Sequence, residues 1–292
     1  MRIEIVEDMG VARELWQGRC PSERLVDQFD YKLATLSPSF TDVHMMVARQ
    51  GNSIEGLLPL CRFNGKLEVL GQFWAEKYGL AISGVAWEAM KEQLVRPVSM
   101  LYYSVEYCGM VKMEAERAVL SLPVQFAVSD YISRFNDSDA RRDIRQASAW
   151  KDLASYTISE KFCDQDIEHL VLFSRSRLGD RSRFLEGDRA RSFVGVCQYL
   201  QSVGALRVAR YCLGDETVGV SFLSYDKYEH SLTHLIGFFN GELKNFGKYM
   251  YLTYVEVAEM LRCKTVIAMS PMYRIKSDMQ YVGEPLYSYE RA

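Results

Sequence analysis

Ser231–Leu261 reads SLTHLIGFFNGELKNFGKYMYLTYVEVAEML, and its three parts decide the fold. Ser231–Phe239 is an apolar run of strand length. Asn240–Phe246 is a polar loop, and from Gly247 a long helical stretch runs to Leu261. Backbone N–H groups at a helix start lack helical partners, and a glycine beside them lets a ligand approach closely. The turn into Gly247 therefore suits a phosphate or pyrophosphate, with Lys244 and Lys248 adding positive charge. The same residues also read as an ordinary glycine beside a helix start.

Working outward, Thr265–Met269 is the next strand. Upstream, Leu206–Leu213 and Thr217–Tyr225 join across Gly214-Asp215 and make a three-stranded meander with Ser231–Phe239. Before them lie a strand at Ser155–Ser159, a helix at Asp166–Arg177, and a helix at Asp188–Val203 stopped by Gly204. The first half has the same order. Arg2–Val6 is a strand, Val11–Arg19 and Ser22–Leu36 are helical around Pro21, and Val43–Arg49, Ile54–Cys61 and Leu67–Gly71 form a meander. Gly51-Asn52 and Asn64-Gly65 supply its turns; Trp87–Leu94 is a helix and Ser99–Val105 a strand. An Arg-rich helical stretch, Val128–Trp150, links the halves. Three consecutive strands on short turns predict an α+β fold, each half a mostly antiparallel mixed sheet flanked by helices, over a doubly wound parallel sheet.

At 292 residues the chain suits one large or two modest domains, and 48% hydrophobic with 25% charged residues is globular. A formal charge of −3 excludes a strongly basic nucleic-acid-coating protein. Seven scattered cysteines without C-x-x-C read as reduced thiols, with neither a disulfide framework nor a metal site. The acidic N-terminus and the lack of any run of eighteen apolar residues predict a cytoplasmic protein without a membrane span. P-loop, dinucleotide, zincin and hydrolase-elbow motifs are absent, and only four histidines occur.

Three stretches carry a resemblance to a known superfamily. Gly56-Leu57-Leu58-Pro59-Leu60, then Gly65-Lys66-Leu67 and Leu70-Gly71, form a "G-x-LPL … G-x-L-x-x-LG" meander. Asp130-Tyr131-Ile132 and Ala140-Arg141-Arg142-Asp143-Ile144-Arg145 form a basic helix between the halves. Phe246-Gly247-Lys248 through Ala258, Cys263–Met269 and Tyr273–Lys276 form a loop, helix, strand and closing lysine. In this order they resemble the GNAT N-acyltransferase superfamily, and within it the two-lobed Fem-type and CelD-like branch. One departure stands out: that branch often has Ser-Pro-Gly where this chain has Asn245-Phe246-Gly247.

The resemblance implies a tandem GNAT-like fold. Residues 1–146 would be a degenerate lobe shaping the acceptor cleft, and 147–292 a lobe holding the donor. It implies direct transfer of an acyl group, acetyl foremost, from acetyl-CoA or another acyl-CoA. The acceptor would be an amine on a small molecule or a cell-envelope or polysaccharide precursor, and the protein a monomer or homodimer without a metal. Because the branch also includes aminoacyl-tRNA-dependent members, tRNA is the alternative donor, and a non-catalytic ligand-binding protein is a further reading. Leu235, Ile236 and Gly237 would hold the donor along the strand, and Asn245, Gly247 and Lys248 its phosphates. His234 reads as a base for the amine, since an ordinary imidazole titrates near neutrality, or as a core histidine. Tyr273 reads as the proton source for the leaving thiolate or as a packed tyrosine. Lys276 matches the branch's late lysine in the cleft, or is a solvated surface lysine. Arg142 and Arg183 are candidate substrate contacts, or members of charged surfaces rich in neighbouring acids.

Overall fold

The computed structural model describes residues 1–291 apart from Pro21, Ser22, Phe73, residues 76–80, Arg96, residues 104–109, Val124, Asn136, Asp137, Arg183, Leu185, Glu186 and Ser270. The chain runs β1 (Arg2–Val6), α1 (Met9–Arg19), α2 (Phe29–Ala34), β2 (Thr41–Gln50), β3 (Ser53–Phe63), β4 (Lys66–Val69), β5 (Ala81–Ile82), α3 (Gly84–Gln93), β6 (Val98–Tyr103) and β7 (Val111–Ser121). It continues through α4 (Val128–Ser133), α5 (Ser138–Ala149), β8 (Ser155–Ser159), α6 (Asp164–Leu178), α7 (Gly187–Ser202), β9 (Leu206–Leu213), β10 (Glu216–Asp226) and β11 (Ser231–Phe239). It ends with α8 (Phe246–Met260), β12 (Thr265–Ile267), α9 (Arg274–Asp278) and β13 (Val282–Arg291).

Two compact units emerge. The first comprises Met1–Ala115, Arg191–Tyr199 and Pro285–Ala292, the second Glu116–Ala190 and Leu200–Glu284. These follow contact density, whereas a division at 146/147 follows the repeat of element order, and the two do not coincide. In the first unit Asn64 and Gly65 both take positive φ, 48° and 78°, as a two-residue hairpin requires, and they turn β3 into β4. The strands run β1-β2-β3-β4-β6-β13, with β4 and β6 parallel around α3 and β13 antiparallel to β6. Asp8 caps α1 by accepting from Gly10 and Val11 N–H, and the helix buries Ala12 and Trp16 on Phe29, Met45, Val47 and Leu57. Residues 191–199 of α7 complete this core. Gly195 meets the Ala34 carbonyl so closely that no β-carbon fits between them.

The second unit orders its strands β7-β12-β11-β10-β9-β8. β9, β10 and β11 form the meander, and α8 then crosses so that β12 pairs parallel to β11. This is the arrangement of β4, α3 and β6 again, so the repeated order of elements corresponds to a repeated topology. Helix α8 is apolar nearly all round and buries Phe246, Tyr249, Leu252, Tyr254, Val255 and Val257. Among the described residues, no helix is long and apolar enough to cross a membrane.

Sequence reading misses β7 and β13 and merges two helices. VKMEAERAVLS is rich in helix formers and lacks alternation, yet Arg117–Leu120 is continuously buried in β7. Arg117 pays its way there by donating to Glu284 Oε2 at 2.6 Å. In β13, Gly283 and Pro285 mimic a turn. Val128–Trp150 divides into α4 and α5, Ser22–Leu36 keeps only α2 and a short 3₁₀ turn at Leu25–Asp27, and the strand expected to Met269 stops at Ile267. Met269 itself has φ 27°, which ends extended structure.

Candidate active site

β11 outruns its parallel neighbour. Ser231, Leu232 and Thr233 pair with Thr265, Val266 and Ile267; β12 then stops while β11 continues to Phe239. On that side the main chain of His234–Phe239 has no strand partner among the described residues, leaving N–H and C=O groups for a ligand apart from the Ile236 group bonded to the His234 ring. A bulge marks the same place, because Phe222 pairs with Ile236 while Leu223 pairs with His234, so Leu235 is the extra residue. The extra residue brings His234 and Gly237, an odd spacing apart, to one face. A β-carbon on Gly237 would lie 2.9 Å from His234 Nε2 and would collide with Ser221 Oγ, so only glycine fits.

At the end of β11, Asn240 Oδ1 accepts the Glu242 N–H at 3.1 Å, and Asn245 takes a left-handed φ of 61°. Phe246 donates its N–H to Leu243 O and Lys248 to Asn245 O, so the Gly247 N–H is left without an acceptor among the described residues. The Asn245 side chain makes no capping bond to α8. In place of Ser-Pro-Gly, Phe246 anchors the turn. It is fully buried, and its ring meets those of Trp150, Tyr211, Phe239 and Tyr249 at 5.1–5.7 Å. Lys248 is half-buried and donates to Gln146 Oε1 at 3.3 Å, while Lys244 is exposed.

His234 is half-buried and stacks on Tyr254, centroids 4.7 Å apart and planes 24° from parallel; the Tyr254 hydroxyl shares a 2.8 Å hydrogen bond with Ser221 Oγ. Its Nε2 has no hydrogen-bond partner among the described residues. Burial first, then the nearby Lys276 charge, push its pKa down to about 3 against an opposing backbone hydrogen bond at Ile236. The ring is neutral at pH 7: a hydrogen-bond acceptor but a weak base. Tyr251 packs beside it at 6.2 Å, and burial holds the Tyr251 and Tyr254 hydroxyls protonated.

Lys276 is not a surface lysine. It is 4% exposed, and its ammonium donates to Met269 O and, at 2.7 Å, to Pro271 O, while lying 5.3 Å from the Tyr273 ring centroid. Tyr273 is 59% exposed and opens α9, its carbonyl accepting from the Lys276 and Ser277 N–H groups. Leu235, Ile236 and Gly237 thus lie on the unpartnered stretch of β11, Asn245, Gly247 and Lys248 at the start of α8, and Tyr273 and Lys276 in the turn after β12. Arg142 is exposed on α5, and Arg183 lies outside the described residues. Sequence reading did not single out Ser221. Among the described residues, no cluster of three or more His, Cys, Asp or Glu could hold a metal ion.

No protein-family model and no curated protein matches the sequence. Solved structures do. FemX is 10% identical, with TM-score 0.59 over 99% of this chain and 97% of that one. L-PGS from Bacillus licheniformis is 12% identical, with TM-score 0.59 over 96% and 91%. A tandem GNAT protein from the clavulanic acid biosynthesis pathway is 10% identical, with TM-score 0.56 over 99% and 98%. The likeness is one of fold: the chain has a tandem GNAT-like, Fem-type acyltransferase fold.

Proposed function

We propose that the protein is a cytoplasmic acyltransferase that moves an acyl group, acetyl foremost, from acyl-CoA to an amine without a covalent enzyme intermediate. The observation that carries this reading is β11 running past β12 into the left-handed Asn245 and the unpartnered Gly247 N–H. The pantetheine chain would lie along Leu235–Gly237 as an added strand, and the pyrophosphate at Gly247 with Lys248. Main-chain N–H groups freed by the splay polarise the thioester carbonyl. The nitrogen–carbon bond forms, the carbon–sulfur bond breaks, and a proton must leave nitrogen and reach sulfur. With a pKa of about 3, His234 accepts a hydrogen bond from the neutral amine, and solvent takes the ammonium proton beforehand. Tyr273, exposed beside the buried Lys276 charge, would give its proton to the thiolate and be reprotonated from solvent, which also takes the second amine proton as the amide forms. Residues 147–292 form the donor lobe in this reading and 1–146 the degenerate lobe.

Lys248→Glu gives a cleaner test than a charge at Gly247, where a new β-carbon would sit 3.0 Å from Ile275 Cδ1 and confuse binding with packing. Coenzyme A titrated calorimetrically should bind wild type and bind Lys248→Glu at least tenfold more weakly, since a charge-assisted contact contributes about 1.5–3 kcal/mol. Equal affinity would sink the phosphate assignment. The likeness to FemX and L-PGS supports an aminoacyl donor as the second reading. Steeply salt-dependent tRNA binding with no response to coenzyme A would favour it.

A further inference from the structure

We propose that Arg177 forms a carboxylate seat beside the end of the splayed strand, so that the acceptor is an anionic amine such as an amino acid. This rests on the acyltransferase reading for the word acceptor, but the seat itself stands on geometry. Arg177 lies in the last turn of α6, its guanidinium carbon 4.7 Å from the centroid of Phe239, the last residue of β11. Stacking on a ring fixes the guanidinium plane while leaving its edge donors free, the posture for two parallel bonds to a carboxylate.

Arg177 is exposed and has no carboxylate partner among the described residues. Helix-dipole stabilisation accounts for a cation in a last turn, as for Arg175, but not for a head drawn onto the end of the donor strand. Its charge also reaches Tyr251 on α8, opposing the upward push of burial on that hydroxyl. The arginine from α6 thus sits at the end of β11, on the stretch without a strand neighbour among the described residues. Arg177 offers the carboxylate two parallel bonds.

Glutarate and its neutral diamide are the probes, titrated by calorimetry into the full chain. Wild type should bind glutarate and not the diamide, Arg177→Met should bind glutarate about tenfold more weakly or not at all, and Arg177→Lys should lie between. Glutarate binding equally well to wild type and Arg177→Met overturns the seat, as does diamide binding as strong as that of glutarate. Coenzyme A affinity should be unchanged in Arg177→Met; a tenfold fall would assign the arginine to donor phosphates and overturn its assignment to the acceptor. Should wild type bind no coenzyme A while glutarate binding still depends on Arg177, the donor reading fails and the seat stands.

Discussion

Lys276 donates to the Met269 and Pro271 carbonyls after β12, so its loss leaves two part-buried acceptors without their donor. Lys276→Met should therefore cost about 2 kcal/mol of stability, visible as a lower urea midpoint at unchanged slope. A surface lysine would cost within about 0.5 kcal/mol, and such a small effect would contradict the buried geometry. His234 sets a pH dependence. Its folded pKa of about 3 lies below the ordinary 6.5, so between these values the unfolded chain binds a proton that the folded chain refuses. Stability is complete above pH 6.5 and falls with acidification, by roughly 3 kcal/mol down to pH 4 at 1.36 kcal/mol per pH unit. The bidentate Asp166–Arg210 pair acts in the same direction, but as a carboxylate it titrates lower. Denaturant melts from pH 7 to 4.5 should slope downward in wild type and lie nearly flat in His234→Gln; parallel slopes in the two would show that the ring is not held neutral.

Strands explain why one splay is open and its counterpart is not. β4 and β6 make the same parallel pair around α3 that β11 and β12 make around α8. In the first, Gln72 is 1% exposed and reaches Ser99 O at 3.4 Å, while the Lys32 side chain packs 3.3 Å from where Gly71 would carry a β-carbon. The notch fills with the chain's own groups, and a pantetheine would have to displace buried bonds. In the second, Gly237 and the left-handed Asn245 keep side chains out. Much of this was legible in sequence. Apolar runs with turns at Gly51-Asn52, Asn64-Gly65 and Gly214-Asp215 mark the two meanders, and Ser231–Phe239 is a strand over its full expected length. What periodicity could not carry was the bulge at Leu235, because a one-residue change of register depends on the facing strand. Without the bulge, His234 and Gly237 appear to face opposite sides. Lys276 was legible as a residue but not as a buried one, since its acceptors are backbone carbonyls that leave no sequence signal.

Across the whole molecule, the first compact unit draws on three separate stretches of chain. Residues 191–199 supply Phe193, Val196 and Cys197, all fully buried, and Ser192, which accepts from Trp74 Nε1 at 2.9 Å and donates to Thr35 O at 2.6 Å. Residues 285–291 supply the strand that pairs with β6 and the Tyr289 ring that meets Trp87 at 5.2 Å. A fragment of residues 1–146 lacks both. Losing the burial of three apolar side chains at roughly 1.5–3 kcal/mol each removes about 5–9 kcal/mol, against a net stability of about 5–15 kcal/mol for an ordinary domain. It also uncovers the hydrogen-bonding edge of β6, a template for association with other chains. Such a fragment should show strand and helix by circular dichroism but melt without a sharp transition, bind a hydrophobic dye and aggregate at micromolar concentration. The full chain should melt sharply under the same conditions. Cooperative, dye-free melting of the 1–146 fragment would show that the unit needs neither later stretch, and that a single cut near residue 146 separates two independently folding lobes after all.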